Sequence, residues 1–135
     1  MKSVYIILTL CLVLVSCEKD CYDCPECIIG EWQWVKSCGG FTGGCWYPSD
    51  DHQERAVFTS DSKYYRYSND ELILDYNYQL GDTREVDGVK YYEITFVPAE
   101  GTTGIYEWST EFWFTEQKIL NIPGGDFIEE FERKK

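Results

Sequence analysis

Apolar and polar positions alternate along this chain from Gly30 onward. Aromatic and β-branched residues recur there with a period of two, the pattern of strands that bury one face, and helical periodicity is absent over any useful length. The pattern predicts nine strands, over residues 31–37, 55–60, 63–68, 71–78, 90–97, 104–109, 111–115, 118–122 and 126–133.

Turn-forming residues separate these strands. Asp87-Gly88, between Val86 and Val89, is the clearest hairpin signal, because both turn positions favour positive φ. Short strands joined by tight turns predict an all-β, antiparallel, up-and-down meander. We expect it to close into one small barrel of about eight to nine strands, because closure removes unpaired edges.

The N-terminus has a different pattern. Lys2 precedes an apolar run over residues 4–15, which is shorter than the about 20 residues that a membrane-spanning helix needs. Ser16 and Cys17 follow, and this arrangement resembles the lipobox of bacterial lipoproteins. The resemblance implies that residues 1–16 are a removed signal peptide and that Cys17 is acylated. The alternative is an ordinary secretory signal with an incidental cysteine.

The expected location follows from this reading. A lipobox implies a lipid-anchored protein of the outer membrane, on its periplasmic or cell-surface side. Glu18-Lys19-Asp20 resembles the surface-export signal of Bacteroidetes lipoproteins, and a plain soluble spacer is the alternative.

Charge and length limit the function classes. Removal of the signal leaves 119 residues, enough for one domain, with 11 basic against 24 acidic side chains. Such a surface repels nucleic-acid phosphates, and it leaves membrane attachment to the acyl chains. A basic protein partner is compatible with this charge.

The cysteines indicate an oxidising compartment. Residues 17–29 are predicted to be a flexible tether, in which Cys21, Cys24 and Cys27 form one local or crossing disulfide and leave one thiol. A metal or redox role for these three is the alternative. The leftover thiol could link two chains, although we expect a monomer.

A second bridge is predicted between Cys38 and Cys45. They flank a flexible, glycine-rich hexapeptide that can bring the two sulfurs together. Closing so short a loop would stabilise the fold by about 2 to 3 kcal/mol.

Gly30-Glu31-Trp32 on the first predicted strand resembles the Gly-x-Trp signature of lipocalins. The following residues 35–44 and the terminal strand are similar to those of small lipocalin-like lipoproteins of Bacteroidetes. The resemblance covers residues 30–135 and implies a lipocalin-like barrel. Apart from the resemblance, Trp32 can close one barrel end with Arg133 over its ring, a contact worth about 0.5 to 2 kcal/mol.

Catalysis is not expected. His52 is the single histidine, and no Gly-x-Ser-x-Gly, His-Glu-x-x-His or phosphate-binding loop occurs. A hydrolase that uses Asp50, Asp51 or His52 is the minor alternative. No cofactor or metal is predicted.

Aromatic residues are the remaining candidates for binding. Tyr65 and Tyr67 are predicted to face the opposite side of their strand from Tyr64, and Trp46-Tyr47 could project from a barrel rim. These four are the candidate ligand contacts, and the alternative is that such rings are ordinary amphipathic side chains at a half-wet surface. We expect binding without catalysis, with a small apolar ligand in the interior as the first hypothesis. A surface module for a glycan or a basic protein, such as a lysozyme, is the second.

Overall fold

A computed structural model describes residues 22–102, 106–116 and 118–135 of the chain. It contains one 3₁₀ turn, Pro25–Ile28, followed by strands. The strands are β1 Gly30–Gly39, β2 Gly44–Trp46, β3 Glu54–Phe58, β4 Lys63–Ser68, β5 Glu71–Val86, β6 Val89–Pro98, β7 Trp108–Phe114, β8 Leu120–Gly124 and β9 Phe127–Arg133. None of the described helices is long and apolar enough to cross a bilayer.

The strands form a closed antiparallel barrel. β1 and β3 to β9 pair in sequence order, and β9 returns to β1 from Trp32↔Arg133 to Gly39↔Phe127. β2 is a short extra strand that pairs only with the end of β1. The predicted lipocalin-like, up-and-down barrel is confirmed.

Alternation decides which side chains fill the barrel. On β4, Tyr64 and Arg66 are buried, whereas Tyr65 and Tyr67 are only partly buried on the outer face. This opposition of Tyr65 and Tyr67 to Tyr64 was predicted from the period of two.

The hairpin at Asp87-Gly88 is confirmed, with φ of 51° and 79° and Val86 paired to Val89. β5 continues well beyond its predicted end at residue 78, to Val86, and a bulge between Leu80 and Thr83 shifts the register of its pairing with β6.

Two other strand predictions need correction. β2 was not predicted, because three residues beginning with glycine carry no readable period. The strands expected over 104–109 and 111–115 are a single strand, β7, in the described part of the chain.

The two ends of the barrel differ. The loops that follow β1, β2, β4, β6 and β8 lie at one end, which we call the mouth. The connections that follow β3, β5 and β7 lie at the other end, together with residues 22–29. We call that end the plug end.

Residues 22–29 are not a flexible tether, so this part of the tether prediction is wrong. Ile28 is 0% and Cys27 is 6% exposed, and Ile28 belongs to the core cluster. Tyr22 packs on Phe114 with ring centroids 5.4 Å apart. The segment therefore closes the barrel, because its few apolar side chains cap an interior that would otherwise meet water.

Candidate binding surface at the barrel mouth

Trp32 and Arg133 join the plug to the barrel. The Arg133 guanidinium lies 4.4 Å from the centre of the Trp32 ring, and its Nη1 donates to the Ile29 carbonyl at 2.9 Å. Trp32 Nε1 donates to the Ile28 carbonyl at 2.7 Å. Gly30 has φ of +142°, and a Cβ there would lie 2.7 Å from Arg133 Nη1. These residues hold the closed end together, as the sequence predicted, and they leave no exposed ring for a ligand.

The cysteine series at the plug end forms a local disulfide. Cys24 is bonded to Cys27 across the 3₁₀ turn. The two sulfurs are therefore not free thiolates for a metal, and no group of three metal-binding side chains occurs in the described residues. Cys17 and Cys21 lie outside the described residues.

Aromatic rings occupy the barrel interior. Phe96 lies at the centre, with ring centroids 4.8 Å from Tyr64, 6.4 Å from Phe58 and 6.2 Å from Tyr76. The largest fully buried side chains include Trp32, Phe58, Phe96, Phe112 and Phe131. The rings expected to line a pocket therefore contact one another instead.

An ion-pair network lies below the mouth, and the sequence analysis missed it. Arg66 donates from Nη1 and Nη2 to the two carboxylate oxygens of Glu129, both at 2.7 Å, and from Nε to Glu54 at 2.6 Å. Burial alone would lower the pKa of Arg66, but the hydrogen bonds to Glu129 and the nearby negative charges raise it. Arg66 follows Tyr64 by two residues, so the alternation of β4 was the signal that could have placed it inside.

His52 extends this network to the rim. Its Nε2 lies 2.9 Å from Glu54 Oε1, and its ring meets Trp34 edge-on at 5.4 Å. Asp50 and Asp51 are exposed in the same loop. His52 therefore contacts Glu54 and Trp34, and these are the side chains that the structure places beside it.

The predicted bridge between Cys38 and Cys45 is confirmed. The two residues are directly opposite each other on β1 and β2, so the disulfide fixes this hairpin at the mouth. Trp46 is the next residue after Cys45, and its ring packs edge-on against Phe127 with the ring centroids 5.0 Å apart. Trp46 is still 52% exposed, and Tyr47 is 62% exposed.

Tyr65 and Tyr67 do not join Trp46 and Tyr47. They lie on the outer wall of β4, and the Arg55 guanidinium covers Tyr67 at 3.7 Å from the ring centre. Of the four predicted contact residues, the two at the rim are therefore the more exposed.

Most exposed large apolar side chains of the described residues lie at the mouth. They come from four different loops or strand ends: Phe41, Trp46, Tyr47, Leu72, Ile73, Tyr106 and Trp108. We call this set the mouth surface. Trp46 and Trp108 each pack one part of the ring, on Phe127 at 5.0 Å and on Phe96 at 4.4 Å, and expose the rest. Clustered exposed apolar side chains of this kind are typical of interaction sites.

The loops at the mouth carry negative charge, and Arg55 on β3 pairs with one of their acids, Asp70, at 3.4 Å. The segments 40–53, 69–73, 99–107 and 125–126 contain neither lysine nor arginine. They carry a set of exposed acids, Asp50, Asp51, Asp70, Glu71, Glu100, Glu107 and Asp126. The mouth surface is therefore apolar rings surrounded by negative charge.

A groove of about 400 Å³ also lies on the outer wall of β5 to β7. Arg84 crosses it and pairs with both carboxylate oxygens of Glu111. Asp82 and Glu93 add two further carboxylates to its lining.

The fold and the mouth surface define a small antiparallel barrel that is plugged at one end, filled with rings and acidic at the other end. Comparisons with protein-family models, curated proteins and solved structures found no match.

Proposed function

We propose that this protein is a membrane-anchored, non-catalytic binding module whose mouth surface docks a basic protein. The observation that carries the proposal is the set of exposed apolar side chains at the mouth, surrounded by acids in loop segments that contain no lysine or arginine. Arg55, from β3, pairs with only one of these acids, Asp70. Aromatic anchors supply most of the binding energy in protein interfaces, and complementary charge supplies orientation and association rate.

The packed interior favours the mouth over an internal ligand. A small apolar ligand would have to displace rings such as Phe96 and Tyr64, which already contact each other at 4.8 Å. It would also have to pass the ion pairs of Arg66, whose separation costs free energy in a poorly solvated site. The small-ligand hypothesis therefore ranks second.

A basic protein fits the mouth better than a neutral glycan. A neutral sugar can stack on Trp46 or Tyr47, but it gains nothing from the surrounding carboxylates. The lysines and arginines of a basic protein can form ion pairs with these carboxylates and cation–π contacts with the exposed rings.

The anchor belongs to the same proposal. The lipobox-like sequence that ends at Cys17 supports acylation, and two or more acyl chains hold a protein firmly on a bilayer. We place the protein at the outer membrane, on its periplasmic or cell-surface side.

Titration of the mature chain with a panel of basic secreted proteins, lysozyme among them, tests the docking proposal. Calorimetry should find at least one complex that weakens as salt is raised, because the charges are exposed. Trp46→Ala combined with Tyr47→Ala should weaken that complex by at least about tenfold, or about 1.4 kcal/mol.

The matched control is Val86→Ala combined with Val89→Ala, which removes exposed apolar groups at the plug end and should leave affinity unchanged. Succinylated lysozyme, in which lysines become acids, should not bind. Absence of binding across the panel, or equal loss in both double variants, contradicts the proposal. If a glycan binds and none of the basic proteins does, the mouth surface is a glycan-binding site instead.

A further inference from the structure

The chain enters the described fold at the plug end. Tyr22 is held there by Phe114 at 5.4 Å, and the cations of Lys118 and Arg133 lie 5.2 Å and 5.6 Å from its ring centre. Cys17 precedes Tyr22 by five residues, which can span at most about 18 Å. The lipidated position proposed above is therefore close to the plug end.

The plug end carries charge of both signs. Ion pairs join Lys90 to Asp23 at 2.6 Å and Lys134 to Glu31 at 2.8 Å. Six basic side chains lie there, Lys63, Lys90, Lys118, Arg133, Lys134 and Lys135, against eight acidic ones, Asp23, Glu26, Glu31, Asp61, Glu85, Asp87, Glu116 and Glu132. This mixture contrasts with the mouth, where the loops contain acids but no lysine or arginine, and where Asp70 pairs with Arg55 of β3.

An apolar tip also lies at the plug end. Val86 and Val89, at the end of the long β5–β6 hairpin, are 43% and 36% exposed. They are the exposed large apolar side chains that the described residues place at this end.

We infer that the plug end rests against the lipid headgroups and that the mouth surface is held away from the bilayer. The inference rests on the proposed acylation of Cys17 but not on the identity of the partner. Three features suit contact with lipid. They are the short connection from Cys17 to Tyr22, the mixed positive and negative charge of the plug end, and the apolar tip of the β5–β6 hairpin.

Electrostatics at the mouth favours the same orientation. An anionic leaflet repels carboxylates that come within about one Debye length, roughly 8 to 10 Å at physiological salt. Strands such as β1, with 10 residues tilted in a barrel, separate the two ends by about 25 Å. An upright barrel therefore keeps the mouth acids beyond the repelling field.

Fluorescence energy transfer tests this orientation. The acylated full chain is reconstituted in vesicles of phosphatidylethanolamine and phosphatidylglycerol that contain a headgroup acceptor dye. A fluorescent amino acid replaces either Glu116 at the plug end or Glu100 at the mouth, two exposed residues of the same type. Transfer to a layer of headgroup acceptors falls steeply with the height of the donor above the layer, so it should be several-fold stronger from position 116.

A longer connection supplies the matched control. A flexible glycine-serine insertion between Cys21 and Tyr22 should weaken transfer from position 116 toward the value at position 100, because a flexible chain lets the barrel move away. Equal transfer from the two positions, or stronger transfer from position 100, overturns the orientation. A Cys17→Ser chain that floats with the vesicles as well as the unmodified chain would instead overturn the anchor, and the orientation with it.

Discussion

Arg66 is the residue at which burial and charge conflict most directly. Its side chain is 10% exposed, and removal of a guanidinium from water is costly unless its donors are paired. Glu54 and Glu129 supply three of those bonds, and Phe131 lies 5.2 Å from the guanidinium carbon. The sequence shows Arg66 only as a charged residue between two tyrosines, so its carboxylate partners could not be predicted from it.

Replacement of Glu129 by Gln should leave the buried Arg66 guanidinium without one of its two carboxylate partners. We expect the variant to lose about 1 to 3 kcal/mol of unfolding free energy, less than a fully buried pair because the Glu129 side chain is 22% exposed. Urea denaturation followed by tryptophan fluorescence measures the loss.

Glu130→Gln is the matched control, because Glu130 is the next residue and pairs with Lys36 on the outer face at 3.2 Å. The Glu130 side chain is 26% exposed, close to the 22% of Glu129, but Lys36 is 31% exposed against 10% for Arg66. The effect of Glu130→Gln should therefore stay below about 1 kcal/mol. Equal effects of the two variants would show that burial of the Arg66 network is not what matters.

Two buried tyrosines predict an alkaline limit to stability. Burial raises the pKa of both Tyr64 and Tyr78 above the ordinary value of 10.0. The unfolded chain then loses these protons at lower pH than the folded chain, so the unfolding free energy should fall as pH rises above about 10. Absorbance at 295 nm, recorded with far-UV circular dichroism, checks this.

Phenylalanine variants provide the comparison. In Tyr64→Phe the fall in stability above pH 10 should become shallower, whereas Tyr47→Phe, at an exposed position, should leave it unchanged. A slope that is the same in all three proteins would contradict the assignment.

At the level of elements, local patterns predicted more than long-range packing. Asp87-Gly88 has its turn chemistry in two adjacent residues, so the hairpin was predictable. The tether prediction failed over 22–29, because a segment of one short turn has no period and its burial depends on the distant Phe114 and Arg133. The Cys38–Cys45 bridge was predictable from its flexible loop.

The plug should contribute to stability like a core element. Ile28→Ala removes a fully buried side chain and should cost about 2 to 4 kcal/mol in unfolding free energy. Thermal and urea unfolding of the mature chain measure this cost.

Ile128→Ala is the same substitution at a residue that is 41% exposed on β9, and it should stay within about 0.5 kcal/mol. If Ile28→Ala lowers the unfolding free energy as little as Ile128→Ala does, residues 22–29 act as a flexible tether and not as part of the core.

On the scale of the whole molecule, the barrel separates two kinds of surface. Antiparallel order sends alternate connections to opposite ends, so the positions of lysines and carboxylates in the loops determine the charge of each end. The sequence predicted the barrel and the rim position of Trp46 and Tyr47. It did not group these residues with Leu72, Tyr106 and Trp108, because only the closed topology brings the four segments together.

Nuclear magnetic resonance mapping can locate the surface that a basic partner covers. Amide shifts of the labelled mature chain are followed while the basic protein that binds best is added, at low and at high salt. We expect shifts confined to the mouth, above all at Phe41, Trp46, Tyr47 and Trp108, and we expect them to shrink as salt is raised. Shifts centred on the plug end or on the interior rings would contradict this expectation.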